Sequence, residues 1–241
     1  MRFEVISVFP ELIASVVNVG VLGRAVSKKL IDVGVHDLRR FTDDAHCSVD
    51  DASYGGGPGM VLKVEPFLRA VDEIRSRGCV PEAIILTSPR GRPFSHADAV
   101  RFSRMDRVVL LCGRYEGIDE RVCKSIATEE ISIGDYVLSG GELPACVILD
   151  AVARQVPGVI GDVQSVEADS FVRGLLDYPH YTRPAVIDGQ RVPEVLLSGN
   201  HQEIRQWRKR EAIRLTRERR PELLAKADLD DEERAFLLEL E

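Results

Sequence analysis

The segment Arg107–Cys112 (Arg-Val-Val-Leu-Leu-Cys) is the strongest constraint on how this chain can fold. Its apolar residues follow one another without the alternation of a half-exposed strand, so it reads as a strand covered on both faces. Phe3–Phe9 is a β-branched and aromatic run that ends at Pro10, and Val33–Leu38, Ala83–Thr87 and Glu129–Ile133 read as further strands. Helical patterns lie between them at Val21–Leu30 and at Glu65–Arg77, the latter closed by Gly78. Ser95-x-x-Asp98 is a capping box opening another helix, and a short helix follows Gly117. Glu142–Val156 reads as a helix stopped by Pro157-Gly158. Strands and helices alternating at this spacing predict an α/β fold with a mostly parallel sheet.

Three loops follow predicted strands: Thr87-Ser88-Pro89-Arg90-Gly91, Cys112-Gly113-Arg114-Tyr115-Glu116-Gly117 and Ile133–Gly141. They therefore belong at the carboxyl edge of the sheet, where α/β proteins place ligands. Taken alone, Gly140-Gly141 is a tight strand-to-helix turn. Asp135, Tyr136 and Ser139 beside those glycines are harder to explain as a turn, and the three loops together predict a small-molecule pocket. Neither a G-x-x-x-x-G-K-[ST] loop nor a G-x-G-x-x-G turn after the first strand occurs. Gly55-Gly56-Gly57-Pro58-Gly59 lacks the lysine and hydroxyl that reach phosphate and metal, which leaves a nucleotide hydrolase poorly supported.

No apolar run approaches the roughly 18 residues of a membrane span, so no membrane association is expected. Glu4, Pro10 and Glu11 interrupt the first segment, which does not read as a signal peptide. The 5 cysteines are odd in number and include no C-x-x-C pair, and the histidines form no H-E-x-x-H motif. These features argue against a disulfide framework and a zinc site, and for a reducing cytoplasm.

After Gly158 the periodicity weakens, and 159–170 reads as a flexible linker between a 1–158 domain and a small all-helical 171–241 domain. Asn200-x-x-Glu203 is an N-cap for a basic amphipathic helix with Ile204, Trp207 and Leu215 on one face, ended by Pro221. Short helices are expected at Pro221–Ala227 and Asp231–Leu240. The chain's net charge of −7 hides a strong contrast: 201–220 carries eight Lys/Arg against three Glu, whereas 222–241 carries eight acids against two bases. The basic helix suits the phosphates of a nucleic acid.

Several long motifs occur in order along nearly the whole chain. They are Val49-Asp50-Asp51-x-x-Tyr54-Gly55-Gly56-Gly57-Pro58-Gly59-Met60, Cys112–Arg121, Ser132–Pro144, Gly174–Pro184 and Leu196–His201. In these the sequence resembles the bacterial tRNA (guanine-N1)-methyltransferases of the TrmD family, within the SPOUT superfamily. The resemblance implies a parallel sheet with a deep trefoil knot, a homodimer with its active site at the subunit interface, and methylation by S-adenosylmethionine of N1 of guanosine 37 in tRNA, 3′ of the anticodon. It also suggests dependence on Mg2+, although the sequence offers no set of metal ligands.

By the same resemblance Asp169 is the general base, Arg154 stabilises the negative charge that develops on the guanine, and Glu116 lies close to the transferred methyl group. Leu86, Pro89, Gly113, Tyr115, Ile133, Gly134, Tyr136, Leu138, Gly140 and Gly141 are implied in holding the cofactor. Asp50, Tyr54, Gly55, Pro58, Gly59, Ser170, Asn200, Arg208 and Lys209 are implied in binding the tRNA. On the residues alone, Arg154 could merely cap its helix, Asp169 could be a solvated linker acid, and a non-catalytic RNA-binding protein or a knotted methyltransferase acting on another RNA stays open.

Overall fold

Alternate apolar residues of the central strands divide between two hydrophobic cores. In β1 (Arg2–Ser7), Phe3 and Val5 enter one core and Ile6 the other. In the strand Arg107–Cys112, Val108 and Leu110 face the first core while Val109 and Leu111 face the second. A period of two on a sheet covered from both sides produces this split. The structure, a computed structural model, describes residues 1–78, 80–161 and 169–240. The chain falls into two compact units, Met1–Gly161 and Asp162–Glu241.

The first unit runs β1, α1 (Pro10–Val17), α2 (Gly20–Ser27), β2 (Asp32–Asp37), β3 (Asp50–Ala52), β4 (Met60–Leu62), α3 (Val64–Ser76), β5 (Ala83–Pro93), α4 (His96–Ser103), β6 (Arg107–Cys112), α5 (Glu120–Ser125), β7 (Glu129–Ser132) and α6 (Glu142–Ala153). Five strands form a parallel sheet in the order β2-β1-β6-β5-β7. One face is covered by Ile13 of α1, Ala25 of α2, Phe102 of α4 and Ile148, Leu149 and Val152 of α6. The other is covered by Phe67, Val71 and Ile74 of α3 and by Val122 of α5.

Local differences from the sequence reading have identifiable causes. Helix α1 begins at a proline, which the first turn tolerates because its missing N–H would be unpaired there anyway. β3 and β4 are too short for a periodicity signal and pair with each other outside the main sheet. The expected turn Ser88–Gly91 is an excursion within β5: Thr87 and Arg92 both pair with Ile131, and the residues between them loop away. Helix α6 ends at Ala153, not Val156, and Arg154 is its C-cap.

The excursion is braced by charge. Arg92 donates to both Asp98 oxygens at 2.9 and 2.7 Å and to Glu129 at 2.5 Å, and Arg101 joins Glu129 at 2.7 and 2.8 Å. Asp98 also closes the expected capping box with Ser95. Burial alone would raise the Asp98 pKa, but the hydrogen bonds from Arg92, Ser95 and Arg101 outweigh it and hold the carboxyl well below the usual range.

The second unit corrects the all-helical expectation. It contains a two-stranded ribbon, β8 (Val186–Ile187) and β9 (Gln190–Arg191), besides the long α7 (His201–Arg219) and the capped α8 (Asp231–Glu239). Pro221–Lys226 is a 3-10 turn. Its core joins Leu175, Ala212, Ile213, Leu229 and Phe236. The buried stripe of α7 is thus Ala212, Ile213 and Thr216, while Ile204, Trp207 and Leu215 are only half-buried. Among the described residues no helix is long and apolar enough to cross a membrane. Most of the expected linker, 162–168, lies outside the described residues.

Candidate functional site

At the carboxyl edge of the sheet the three loops are joined to one another by backbone. Gly141 donates its N–H to the Gly113 carbonyl at 2.8 Å, and Arg114 and Gly140 form an antiparallel bridge. The Thr87 hydroxyl lies 3.0 Å from the Leu111 carbonyl and 3.3 Å from that of Gly141, tying β5 to both other loops. Glycine is required here by close approach: a Cβ on Gly141 would meet Gly113 N at 2.8 Å and Cys112 Cα at 2.9 Å. One on Gly140 would lie 2.5 Å from Glu142 Oε2.

Glu142 anchors this junction. Only 1% exposed, its carboxylate accepts from Ser7 Oγ at 2.7 Å and from Arg114 Nε at 3.1 Å. The position at the start of α6 adds the favourable field of the helix N-terminus. Arg114 in turn lies over the Phe9 ring at 4.4 Å. Burial and then Glu142 push the neighbouring Cys146 thiol up to about 11, so it is no nucleophile at neutral pH.

Between the loops lies a cavity of about 350 Å3, a size suited to a small-molecule ligand. Leu86, Pro89, Gly113, Tyr115, Ile133, Gly134, Tyr136, Leu138, Gly140 and Gly141 all line it, as does Glu116. Tyr115 has a positive φ of 60°, a conformation costly for a non-glycine residue, and the residue is 52% exposed.

The β3–β4 hairpin is fastened beside this cavity by main-chain bonds. Glu116 donates to the Met60 carbonyl, Leu62 to that of Gly117 and Asp119 to that of Leu62, each at 3.0 Å. Gly59 lies against Glu116: a Cβ there would fall 2.5 Å from Glu116 Cγ. Asp50 pairs with Leu62 within the hairpin, whereas Tyr54 at its tip is 100% exposed and Gly55 and Pro58 are exposed beside it. These hairpin residues do not line the cavity.

Arg154 lies at the other end of α6 from Gly141, ~18 Å away along a helix of 12 residues. The remaining expected residues belong to the second unit. Asp169 lines a cavity of about 300 Å3 there with Tyr178, Arg208 and Lys209. Ser170 Oγ accepts from Asp177 N at 2.9 Å, and the Asn200 side chain accepts from Gln202 N at 3.2 Å and Glu203 N at 3.4 Å as the cap of α7. Lys209 pairs with Asp230 at 2.5 Å, which raises its pKa and already balances its charge.

Sequence reasoning gave no role to Ser7, Thr87, Arg114 or Glu142. A glutamate in a first helical turn ordinarily faces water, and nothing local marks Glu142 as buried. Among the described residues no group of three or more His, Cys, Asp or Glu could hold a metal ion.

Residues 1–226 match the family model described as tRNA (Guanine-1)-methyltransferase TrmD. A protein of Pelotomaculum thermopropionicum named tRNA (guanine-N(1)-)-methyltransferase is 50% identical over 100% of this chain and 96% of its own length. One of Persephonella marina with the same name is 51% identical over 98% of this chain and 93% of its own length. Another, of Geobacter metallireducens, is 50% identical over 100% and 98%.

Proposed function

We propose that this chain, which belongs to the TrmD family of tRNA (guanine-1)-methyltransferases, methylates N1 of guanosine 37, 3′ of the anticodon, using S-adenosylmethionine. The observation that carries the reading is the cavity closed by the three loops at the carboxyl edge of the sheet.

That cavity fits the methyl donor. Ile133 and Leu138 offer apolar surface for an adenine ring, glycine backbone at Gly113, Gly140 and Gly141 allows close approach, and the Glu116 carboxylate suits a cation. When bound, S-adenosylmethionine supplies an electrophilic methyl group on a sulfonium. The residues supply alignment and proton removal. The Asp169 carboxylate takes the proton from guanine N1, a step worth about 10²–10⁴-fold in rate. The Arg154 guanidinium faces the guanine O6 and offsets the negative charge that grows there. The hairpin from Asp50 to Gly59 holds the target base, and exposed arginines of α7 such as Arg205 meet phosphates. The described residues offer no ligand cluster that fits Mg2+.

The separation of Arg154 from the cavity along α6 supports a homodimer in which each site draws on both copies. Leu143 and Val147, four residues apart on α6 and 51% and 48% exposed, are apolar surface that such an interface would cover. The mutual pairing of the loops around Gly113 and Gly140 supports a knotted SPOUT arrangement. Such a knot is contrary to the usual rule for chain topology. A cytoplasmic location follows from action on tRNA.

Transfer of labelled methyl to tRNA carrying guanine at position 37, and not to the same tRNA with adenine there, tests the reading. Asp169→Ala should abolish transfer while leaving methyl-donor binding intact. Full activity in that variant would overturn the mechanism.

A further inference from the structure

We propose that Arg114 receives the carboxylate of the methyl donor's amino-acid end, and that Phe9 holds the guanidinium in place for that task. The proposal deepens the S-adenosylmethionine reading and rests on it.

The amino-acid end of the donor carries one carboxylate beside two cationic groups, the ammonium and the sulfonium. The cavity offers few charges to meet them. Among the described residues that line it, the only Lys, Arg, Asp or Glu are Arg90, Arg114 and Glu116. Glu116 suits the cations. Of the two arginines, Arg90 already faces two acids, Glu120 at 3.1 Å and Glu130 at 3.3 Å. Arg114 meets a single acid, and only through Nε, which lies 3.1 Å from Glu142 Oε2. Among the described residues its two Nη groups take no hydrogen-bond partner. They form the fork that grips a carboxylate through two parallel bonds.

The guanidinium is fixed before a ligand arrives. Its Cζ lies 4.4 Å from the centre of the Phe9 ring, and the buried Glu142 carboxylate holds Nε. A Cβ on Gly140 would come within 2.7 Å of Arg114 Cδ, so glycine leaves the room that the arginine stem occupies. Phe9 is itself tied down. Its N–H donates to Ser7 Oγ at 2.8 Å, and that hydroxyl donates to Glu142 Oε1 at 2.7 Å. Arg39 donates to the Val8 carbonyl and lies 5.6 Å from the same ring. Packing against guanidinium groups accounts for a phenylalanine left 40% exposed. Phe9 does not line the cavity, so its effect on the donor passes through Arg114.

Arg114 and Glu116 share one tight turn, closed by the Gly117 N–H on the Arg114 carbonyl at 3.0 Å. That turn brings one positive and one negative side chain to the same cavity, the complement of a zwitterion.

Calorimetric titration with S-adenosylmethionine and with its decarboxylated form, which keeps the ammonium and the sulfonium, tests the proposal. The wild type should bind the intact donor about ten- to a hundred-fold more tightly. Arg114→Gln should erase that preference through weaker binding of the intact donor, and Phe9→Leu should narrow it. Equal losses for both compounds in Arg114→Gln would mean that the residue acts only by holding Glu142, and would overturn the proposal. So would a wild type without preference. A tRNA-binding salt slope reduced by about 0.7–0.9 in Arg114→Gln, with the donor preference intact, would assign the fork to a phosphate instead. If Arg114→Gln fails to fold, the wild type and Phe9→Leu still decide: an unchanged preference in Phe9→Leu removes the role given to Phe9. Failure of the wild type to bind either compound would instead refute the methyl-donor reading.

Discussion

Arg114 Nε donates to the buried Glu142 carboxylate at 3.1 Å, joining the loop after β6 to the first turn of α6 directly behind the glycines of the cavity. Glu142 is buried while Arg114 also lines the cavity, and the pair fixes the backbone from which the cavity is made.

Glu142→Ala should therefore leave Arg114 and Ser7 without their acceptor and destabilise the first unit by about 3–5 kcal/mol. Glu142→Gln keeps an oxygen for Ser7 but removes the negative charge beside Arg114, so its cost should be smaller. Thermal unfolding together with calorimetric titration of S-adenosylmethionine checks this: both variants should bind the donor more weakly. Wild-type affinity in Glu142→Ala would show that the pair does not shape the cavity.

Gly141→Ala tests the close approach of backbone. Its methyl would press on Gly113 N and Cys112 Cα, which are main-chain atoms and cannot turn aside. Overpacking of this kind costs about 1–3 kcal/mol, and donor affinity should fall with it. An unchanged melting temperature and dissociation constant would contradict the packing described here.

Acid should loosen the brace around the β5 excursion. The Asp98 carboxyl has a folded-state pKa below its unfolded value of ~3.9. The group therefore contributes stability that is complete above that value and is lost as pH falls from there toward the depressed one. Asp98→Asn should lower stability at neutral pH and flatten the acid limb of the stability curve between about pH 4 and 2. An acid limb as steep as the wild type's would exclude Asp98 as its source.

Salt dependence should distinguish the cations of α7. Arg205 is exposed, whereas the Lys209 ammonium is already held by Asp230. Arg205→Ala should reduce the slope of log binding constant against log salt by about 0.7–0.9, the loss of one phosphate contact. Lys209→Ala should change that slope less. The reverse ranking, measured by filter binding at several salt concentrations, would reassign the phosphate contacts.

The sheet was legible because Arg107–Cys112 and Phe3–Phe9 carry their burial in their composition, and the loops after them could be placed at one edge by strand direction alone. The ten cavity residues came from motif resemblance, and the strand–loop pattern had already drawn together nine of them, all but Leu86. Glu142 was illegible because its burial depends on Ser7 and Arg114, which are 135 and 28 residues distant. The β5 excursion was read as a terminal turn, since re-pairing at Arg92 depends on Glu129 and Asp98 and not on local sequence. The stripe expected from Ile204, Trp207 and Leu215 is only half-buried, because α7 packs through Ile213 flanked by Ala212 and Thr216, small residues that hydrophobicity does not flag.

The length of α6 has a genetic consequence. On the shared-site reading, a defect at Glu116 and one at Arg154 fall on opposite sides of the same composite centre. Two inactive proteins, one carrying each change, should then regain part of their activity when their subunits are mixed, because one centre in each hybrid pair receives both intact residues. Co-expression of Glu116→Ala with Arg154→Ala should restore up to half of the activity per hybrid dimer, and no recovery in purified hybrids would mean that each chain works alone.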